Sequence, residues 1–305
     1  MARLTRMSFN DNVSLDTSQV TGGRGRAGMA IGGGAGGIVL LVLGLLFTQF
    51  TGQSLPIDPG QVLGTSNGGE ATQVDVSECK TGADANRDVN CRIVGTVNSV
   101  QAYWEEALPA DVNRQYQPAN TVLYEGQTQS ACGTASNATG PFYCPGDSLV
   151  YIDSSFFDEL TSRFGADDGA LAQMYVVAHE YGHRVEDVLG ILSKNQSRET
   201  GPTSPGVRIE LMADCMAGVW VKNASTTEDD NGQTFLKPPT RADIDSALSA
   251  AAAVGDDHIQ EELGGGTVNP ETWTHGSSAQ RQKWFMAGYD SGTVNSCDTF
   301  ATNAL

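Results

Sequence analysis

Two short motifs in the sequence combine residue types that can bind a metal ion and activate water. Residues 179–183 read HEYGH, an H-E-x-x-H motif, and residues 210–214 read ELMAD, an E-x-x-x-D motif. On a helix, residues four apart differ by roughly 40° around the axis, so the two histidines can reach one ion. Imidazole nitrogens and a carboxylate oxygen are ligands that catalytic Zn²⁺ uses in proteins. The motifs therefore predict a Zn²⁺ site that supports metal-assisted hydrolysis.

Each polar residue of the motifs has a predicted role. We predict that His179, His183 and Glu210 are the metal ligands, which leaves one position open for water. Glu180 can hydrogen-bond that water and act as the general base. Asp214 follows Glu210 by one helical turn, so it can accept the second ring N–H of a ligand histidine and fix its tautomer.

The sequence leaves other assignments open. His258, in the acidic run 256–258, is the rival third ligand. His275 stands just before a predicted helix and is the leading candidate for a donor to the oxyanion of the transition state. A loop histidine that only caps or packs locally fits the same sequence equally well. Tyr151 and Tyr181 are weaker candidates for the oxyanion donor.

Simpler interpretations compete with peptide hydrolysis. In one, the helices merely pack and the motif histidines are buried without a metal. In another, Zn²⁺ stabilises a noncatalytic interaction module of the cell envelope. A third keeps the hydrolytic chemistry but assigns a cell-wall crosslink as the substrate. Residues 150–152 are a candidate edge strand, which would favour an extended peptide or protein as the substrate.

The spacing of apolar residues places both motifs on helices of an α+β domain, mostly helical with a short sheet. Gly182 disfavours a helix by about 1 kcal/mol relative to Ala, which indicates close packing against the second motif helix. The stretch between Cys132 and Cys144 is predicted to be a loop. Predicted strands cover residues 121–124 and 148–153, and predicted helices cover residues 89–104, 155–164, 168–190, 206–222, 240–254 and 278–289.

Residues 29–50 carry no charge and are long enough, at about 1.5 Å per residue, to cross a bilayer core once. Basic residues flank only the N-terminal side of this segment, which predicts a cytoplasmic N-terminus and a single transmembrane helix. A cleaved signal peptide is the competing interpretation, but no small-residue cleavage site follows the segment. Two small-xxx-small pairs suggest a weak homodimer through this helix: Gly32 with Gly36 and Gly33 with Gly37.

The predicted organisation has four parts. Residues 1–28 form a cytoplasmic tail, residues 29–50 the membrane anchor, residues 51–75 a flexible linker, and residues 76–305 an extracytoplasmic domain. The net charge of −18 argues against nucleic acid as a partner.

Six cysteines follow the apolar segment, and an even number outside the cytoplasm predicts disulfides. Short loops favour Cys79–Cys91 and Cys132–Cys144, and elimination then leaves Cys215–Cys297. The last pair would join the helix of the second motif to the C-terminus.

Longer stretches around the motifs carry a family resemblance. HEYGH, ELMADCMAGVW, THGSSAQRQKWFMAGY and GPFYCPGDSLVYIDSSFF resemble the neutral zinc metallopeptidase family of bacterial membrane-anchored proteins, over roughly residues 75–290. The glutamate ligand followed by an aspartate is also similar to the thermolysin-like gluzincins. The resemblance implies a zincin-like fold, Zn²⁺ on His179, His183 and Glu210, and Glu180 as the base.

Overall fold

The computed structural model describes residues 7–22, 72–262 and 264–305. Its strands are β1 (Val20–Gly22), β2 (Thr72–Gln73), β3 (Thr121–Glu125), β4 (Gln127–Ser130), β5 (Gly133–Ser136), β6 (Phe142–Cys144) and β7 (Leu149–Asp153). Its α-helices are α1 (Gly82–Ala85), α2 (Val89–Val112), α3 (Phe156–Ser162), α4 (Ala170–Val188), α5 (Ile191–Lys194), α6 (Pro205–Asn223), α7 (Arg241–Ala253), α8 (Asp256–Glu262) and α9 (Ser278–Ser291). The α+β prediction is confirmed, and the helices and strands predicted between residues 89 and 289 form.

The main sheet is mixed and small. Its strand order is β1-β3-β7-β6, and β2 pairs with the end of β3. β1 and β7 run parallel to β3, whereas β6 runs antiparallel to β7. β7 therefore lies inside the sheet, so the prediction that residues 150–152 form an edge strand is wrong. The edge position belongs to β6, which the sequence predicted to be part of a loop.

The predicted loop between Cys132 and Cys144 also contains β5, whose partner strand β4 ends just before Cys132. β4 and β5 form an antiparallel hairpin that pairs Gln127 with Ser136. The residues of this hairpin are small and polar, so their composition resembles that of a loop and hides the strands.

Helices cover the sheet and build most of the core. α4 contacts α2, α6 and α7, while α6 packs closely against α9. Their buried apolar residues belong to one main hydrophobic cluster. Two glycines allow the α6–α9 approach, because a Cβ at Gly218 or Gly288 would overlap a backbone carbonyl of the facing helix. Thr240 with Asp243, and Ser277 with Gln280, form capping boxes at the starts of α7 and α9.

Residues 7–22, hereafter the N-terminal segment, belong to the same folded unit. Five of their side chains are buried in the main hydrophobic cluster: Met7, Phe9, Val13, Leu15 and Val20. Burial of an apolar side chain of this size contributes roughly 1.5–3 kcal/mol to stability. The predicted division between a separate tail at 1–28 and a domain at 76–305 therefore differs from the structure for residues 7–22.

All six cysteines form the predicted disulfides. The pairs are Cys79–Cys91, Cys132–Cys144 and Cys215–Cys297. Cys215–Cys297 joins α6, which carries the second motif, to the C-terminal end of the chain.

Within the described ranges, no helix is both long enough and apolar enough to cross a bilayer. The predicted transmembrane helix at 29–50, with its glycine pairs, and the predicted linker up to residue 71 lie outside the described residues.

Candidate metal centre

The two motifs meet where α4 crosses α6. Gly182 makes the close crossing possible, because a Cβ at this position would lie 2.9 Å from the Cα of Ala213. This contact confirms the predicted reason for a glycine inside α4. The crossing brings the α4 histidines to the glutamate of α6.

Three ligand atoms converge at this crossing. His179 Nε2 lies 3.2 Å from Glu210 Oε2, and His183 Nε2 lies 3.7 Å from Glu210 Oε1. A tetrahedral Zn²⁺ with bonds of about 2.0–2.1 Å holds its ligand atoms roughly 3.4 Å apart. The observed separations therefore fit one Zn²⁺ ion between the predicted ligands His179, His183 and Glu210.

Each motif histidine is oriented by a buried carboxylate that hydrogen-bonds its Nδ1 atom. His179 Nδ1 hydrogen-bonds Asp214 Oδ1 at 2.8 Å, as the E-x-x-x-D spacing predicted. His183 Nδ1 hydrogen-bonds Glu186 Oε2 at 2.7 Å. These bonds place the proton on Nδ1 and direct the Nε2 lone pair toward the metal position.

Asp214 is itself held by a cation and a phenol. Arg281 of α9 donates from Nε to Asp214 Oδ2 at 2.9 Å, and Tyr175 of α4 donates its hydroxyl to Asp214 Oδ1. Arg281 Nη2 also donates to the Tyr175 oxygen at 3.1 Å. Arg281, Tyr175 and Asp214 are all buried, so this network fixes the carboxylate that orients His179.

The local charge favours a bound cation. Burial lowers the pKa of the His179 and His183 imidazoles, but the neighbouring carboxylates outweigh burial and raise both pKa values. The pKa of His179 rises to about 10. Burial raises the pKa of Glu210, yet the surrounding histidines outweigh it and hold that pKa well below its usual range. A site that stabilises positive charge on its imidazoles and negative charge on its carboxylate is complementary to a divalent cation.

Glu180 lies beside the ligands and is 7% exposed. Burial raises the pKa of its carboxyl group, while His179 and His183 lower it to a smaller extent. The backbone of Tyr143, in edge strand β6, also lowers this pKa.

His275 lies in the loop before α9, and its charge contributes to the lowered pKa of the Glu210 carboxylate. Asp256 orients the loop: its Oδ2 accepts from the three consecutive backbone N–H groups of residues 274–276, at 2.7, 2.7 and 2.9 Å. His275 Nδ1 lies 3.3 Å from Asp256 Oδ1 and 2.9 Å from the Thr274 hydroxyl. These contacts anchor the ring on its Nδ1 side.

Comparison with known proteins places the chain among bacterial relatives. A family model described as "Putative neutral zinc metallopeptidase" matches residues 3–300. The chain belongs to this family. The resemblance predicted from the motifs is thereby confirmed, and the family description supports Zn²⁺ as the metal.

Similar curated proteins share most of their length with this chain. Uncharacterized protein Rv2575 of Mycobacterium tuberculosis (strain ATCC 25618 / H37Rv) is 50% identical over 256 residues, which cover 82% of this chain and 85% of that protein. Uncharacterized protein YpfJ of Escherichia coli (strain K12) is 35% identical over 299 residues, covering 95% and 96% of the two chains. No solved structure matches the chain.

Three alternatives from the sequence lie away from the metal position. His258 Nε2 bonds the Phe164 carbonyl at 2.9 Å and is not a ligand in this arrangement. Tyr151 donates its hydroxyl to Asp147, and the buried Tyr181 donates to the Ala119 carbonyl. Neither tyrosine is available as an oxyanion donor.

A second cluster of potential ligand atoms does not fit a metal. Cys79, Asp88 and Cys91 bring their ligand atoms together, but both sulfurs belong to the Cys79–Cys91 disulfide. Metal ligation requires thiolates, so this cluster is structural.

Sequence reasoning missed three residues that support the centre. Glu186 lies three positions after His183 on the same helix, so helical spacing could have identified it. Arg281 and Asp256 reach the centre from α9 and α8, and no local signal in the sequence connects them to the motifs.

Proposed function

We propose that this chain is a zinc-dependent peptidase that hydrolyses peptide bonds by general-base catalysis. The observation that carries the proposal is the shared position of three ligand atoms with the buried Glu180 beside them. Membership of the family supports the same assignment.

Each residue of the centre has a defined task. Zn²⁺, when bound, would lower the pKa of a water molecule to about 7 and polarise the substrate carbonyl. Glu180 takes the proton of the attacking water and delivers it to the leaving amine nitrogen. The raised pKa of Glu180 suits both transfers, because a carboxyl group whose pKa lies nearer to neutral pH can both accept and release a proton.

His275 is the proposed donor to the oxyanion. Burial lowers the pKa of its imidazole, but the carboxylates of Glu210 and Asp256 outweigh burial and raise this pKa. The raised pKa favours the protonated form of the ring. A protonated Nε2 can donate to the carbonyl oxygen as negative charge develops there. Asp256 is a positioning residue, since it holds the 274–276 backbone and the Nδ1 side of the ring.

Edge strand β6 supports an extended peptide as the substrate. β6 pairs with β7 on one side, and the backbone of its Tyr143 lowers the pKa of the Glu180 carboxyl group. Backbone groups on the free edge of a strand can pair with an extended chain. A peptide paired there would place a scissile bond beside the general base.

We further propose that the reaction takes place outside the cytoplasm of a bacterial cell, at its membrane. Three disulfides favour an oxidising compartment, and the uncharged residues 29–50 favour attachment to a membrane.

The test is digestion of a mixed peptide library by the full-length chain purified with Zn²⁺, beside its Glu180→Gln variant. Glu180→Gln removes the base and keeps the ligands, so we expect equal Zn²⁺ content and loss of cleavage. Asp187→Asn is the matched control, because Asp187 lies on the same helix but bonds Tyr143 and Arg184 instead of a ligand. Cleavage by Glu180→Gln at the wild-type rate would contradict the assigned base.

The same assay separates the alternatives. Zn²⁺ bound by both proteins without any cleavage would favour a noncatalytic interaction module. Cleavage of peptidoglycan fragments in place of linear peptides would identify a cell-wall crosslink hydrolase.

A further inference from the structure

Two asparagine side chains of the domain recognise the backbone of the N-terminal segment. Asn86 Oδ1 accepts from the Phe9 N–H at 2.9 Å, and Asn86 Nδ2 donates to the Phe9 carbonyl at 3.0 Å. Asn98 does the same with Asp16, at 2.8 and 3.0 Å. Asn98 lies on α2 and is 4% exposed, so the segment provides partners for a buried amide.

Two glycines of the domain leave the space that the segment fills. A Cβ at Gly95 would lie 2.6 Å from the ring of Phe9, which is fully buried. A Cβ at Gly82 would overlap the Asn10 backbone oxygen. Glycine disfavours the interior of a helix such as α2, so its presence at residue 95 indicates a required contact. The domain is therefore built to receive this segment.

The segment also completes the sheet. β1 pairs in parallel register with β3, with Val20 opposite Thr121 and Gly22 opposite Leu123. Thr121 in turn hydrogen-bonds Tyr181 of α4 at 3.0 Å. The contacts of the N-terminal segment are thus continuous with the core that supports the metal centre.

These contacts conflict with a single crossing of the membrane between the segment and the domain. Residues 29–50 form one uncharged stretch, enough for one crossing. Residues 51–71 contain Asp58, Glu70 and two prolines, so they provide no second apolar stretch. One crossing would place residues 7–22 and residues 72–305 on opposite sides of the bilayer, where they cannot touch.

We propose that residues 7–22 and residues 72–305 lie on the same side of the membrane, with the N-terminal segment docked on the disulfide-bonded domain. This arrangement replaces the cytoplasmic N-terminus predicted from charge. It depends only on the contacts of the segment and is independent of the proposed hydrolysis.

The first experiment is a disulfide trap in the full-length chain. Thr21 and Val122 are partners in the β1–β3 register. Neighbouring strands lie about 4.7–4.9 Å apart, within the Cα separation of natural disulfides. In the Thr21→Cys/Val122→Cys variant, expressed in a bacterium, free thiols are blocked in intact cells with a permeant maleimide. Tryptic peptides are then analysed by mass spectrometry without reduction.

We expect a peptide linked through positions 21 and 122. The matched control is Thr21→Cys/Glu125→Cys, because Glu125 is exposed and lies roughly 10 Å farther along β3. A link in the first variant and its absence in the control supports the proposal. Two free thiols at positions 21 and 122 in the folded, membrane-associated protein would overturn it.

The second experiment measures thiol accessibility and does not depend on a crosslink. Asn12→Cys and Ala242→Cys each place one thiol at an exposed position, the first in the segment and the second on α7. Spheroplasts are treated with a membrane-impermeant maleimide before and after permeabilisation. We expect both thiols to be labelled to the same extent before permeabilisation. Labelling at position 242 with protection at position 12 until permeabilisation would place the segment on the opposite side and overturn the proposal.

Discussion

Arg281 bonds both carboxylate oxygens of Asp214, through Nε to Oδ2 at 2.9 Å and through Nη2 to Oδ1 at 3.0 Å. The same Oδ1 atom bonds Nδ1 of the ligand His179. Arg281 therefore fixes the carboxylate in the plane that orients the imidazole. Asp214 is fully buried, and burial alone would raise the pKa of its carboxyl group. The charges of Arg281 and His179 outweigh burial and lower this pKa, so they keep Asp214 ionised.

We expect Arg281→Met to destabilise the protein by about 3–5 kcal/mol, because it leaves the Asp214 charge buried without its cation. Urea unfolding of the purified full-length chain measures the loss. Arg241→Met is the control, since the Arg241–Asp245 pair is exposed and such pairs contribute at most about 1 kcal/mol. Equal midpoints for the two variants would show that Arg281 does not carry the Asp214 charge.

Glu186 is expected to strengthen metal binding through His183. Glu186→Gln keeps a side chain of the same shape but removes the charge that makes the imidazole more basic. Loss of such a partner weakens metal affinity by roughly 10–100-fold. Competition with a chromogenic chelator measures the affinity, with Asp187→Asn as the control on the same helix. Unchanged affinity in Glu186→Gln would remove Glu186 from the metal centre.

The metal centre was predictable from sequence wherever the geometry is local. His179 and His183, and likewise Glu210 and Asp214, lie one helical turn apart, so helical spacing alone places each pair on one face. Their convergence rests on the α4–α6 crossing, which Gly182 signals because it has no Cβ. Arg281 carries no such signal, since its contact with Asp214 spans 67 residues.

The docking of the N-terminal segment on the domain could not be predicted from sequence for the same physical reason. Its buried residues, such as Phe9 and Val13, follow no regular period, and four arginines in residues 1–28 favour a cytoplasmic tail. The partners that bury it are far along the chain: Asn98 lies 82 residues after Asp16. Strand β6 escaped prediction because it is only three residues long and its flanking residues resemble a loop.

Asp256 is expected to affect turnover through His275 and to leave the metal in place. Asp256→Asn weakens the acceptor of three backbone N–H groups, so the imidazole loses its orientation. Loss of one oxyanion donor lowers kcat by roughly 10²–10³-fold, and we expect a fall of that order with unchanged Zn²⁺ content. Glu261→Gln, at an exposed position of α8, is the control.

A double variant decides whether Asp256 acts through His275. If it does, Asp256→Asn combined with His275→Gln should lower kcat no further than His275→Gln alone. Independent, multiplying losses would show that Asp256 supports turnover by another route.

Zn²⁺ binding to the metal-free protein is expected to release protons near neutral pH. The folded-state pKa values of His179 and His183 are raised above 6.5, so the protonated rings stabilise the metal-free fold below pH 6.5. That stabilisation is lost as the pH rises toward the folded-state pKa, which is about 10 for His179. Because ligation requires the neutral rings, Zn²⁺ affinity should rise with pH over this window.

Calorimetry at pH 7.5 in two buffers of different ionisation enthalpy measures the release. We expect roughly one to two protons per Zn²⁺ bound. Identical heats in the two buffers would mean that the rings are already neutral in the metal-free protein.

Two of the three disulfides, Cys215–Cys297 and Cys132–Cys144, are expected to differ in their contribution to stability. Cys215–Cys297 closes a loop with a sequence separation of 82, against 12 for Cys132–Cys144. Chain entropy then assigns about 4.5 kcal/mol to the first pair and about 2.8 kcal/mol to the second. Each pair is replaced by alanines in the full-length chain, and denaturant unfolding gives the two losses. A larger loss for the Cys132–Cys144 pair would show that native packing around α6, instead of loop closure, holds the C-terminal end against the metal-centre helix.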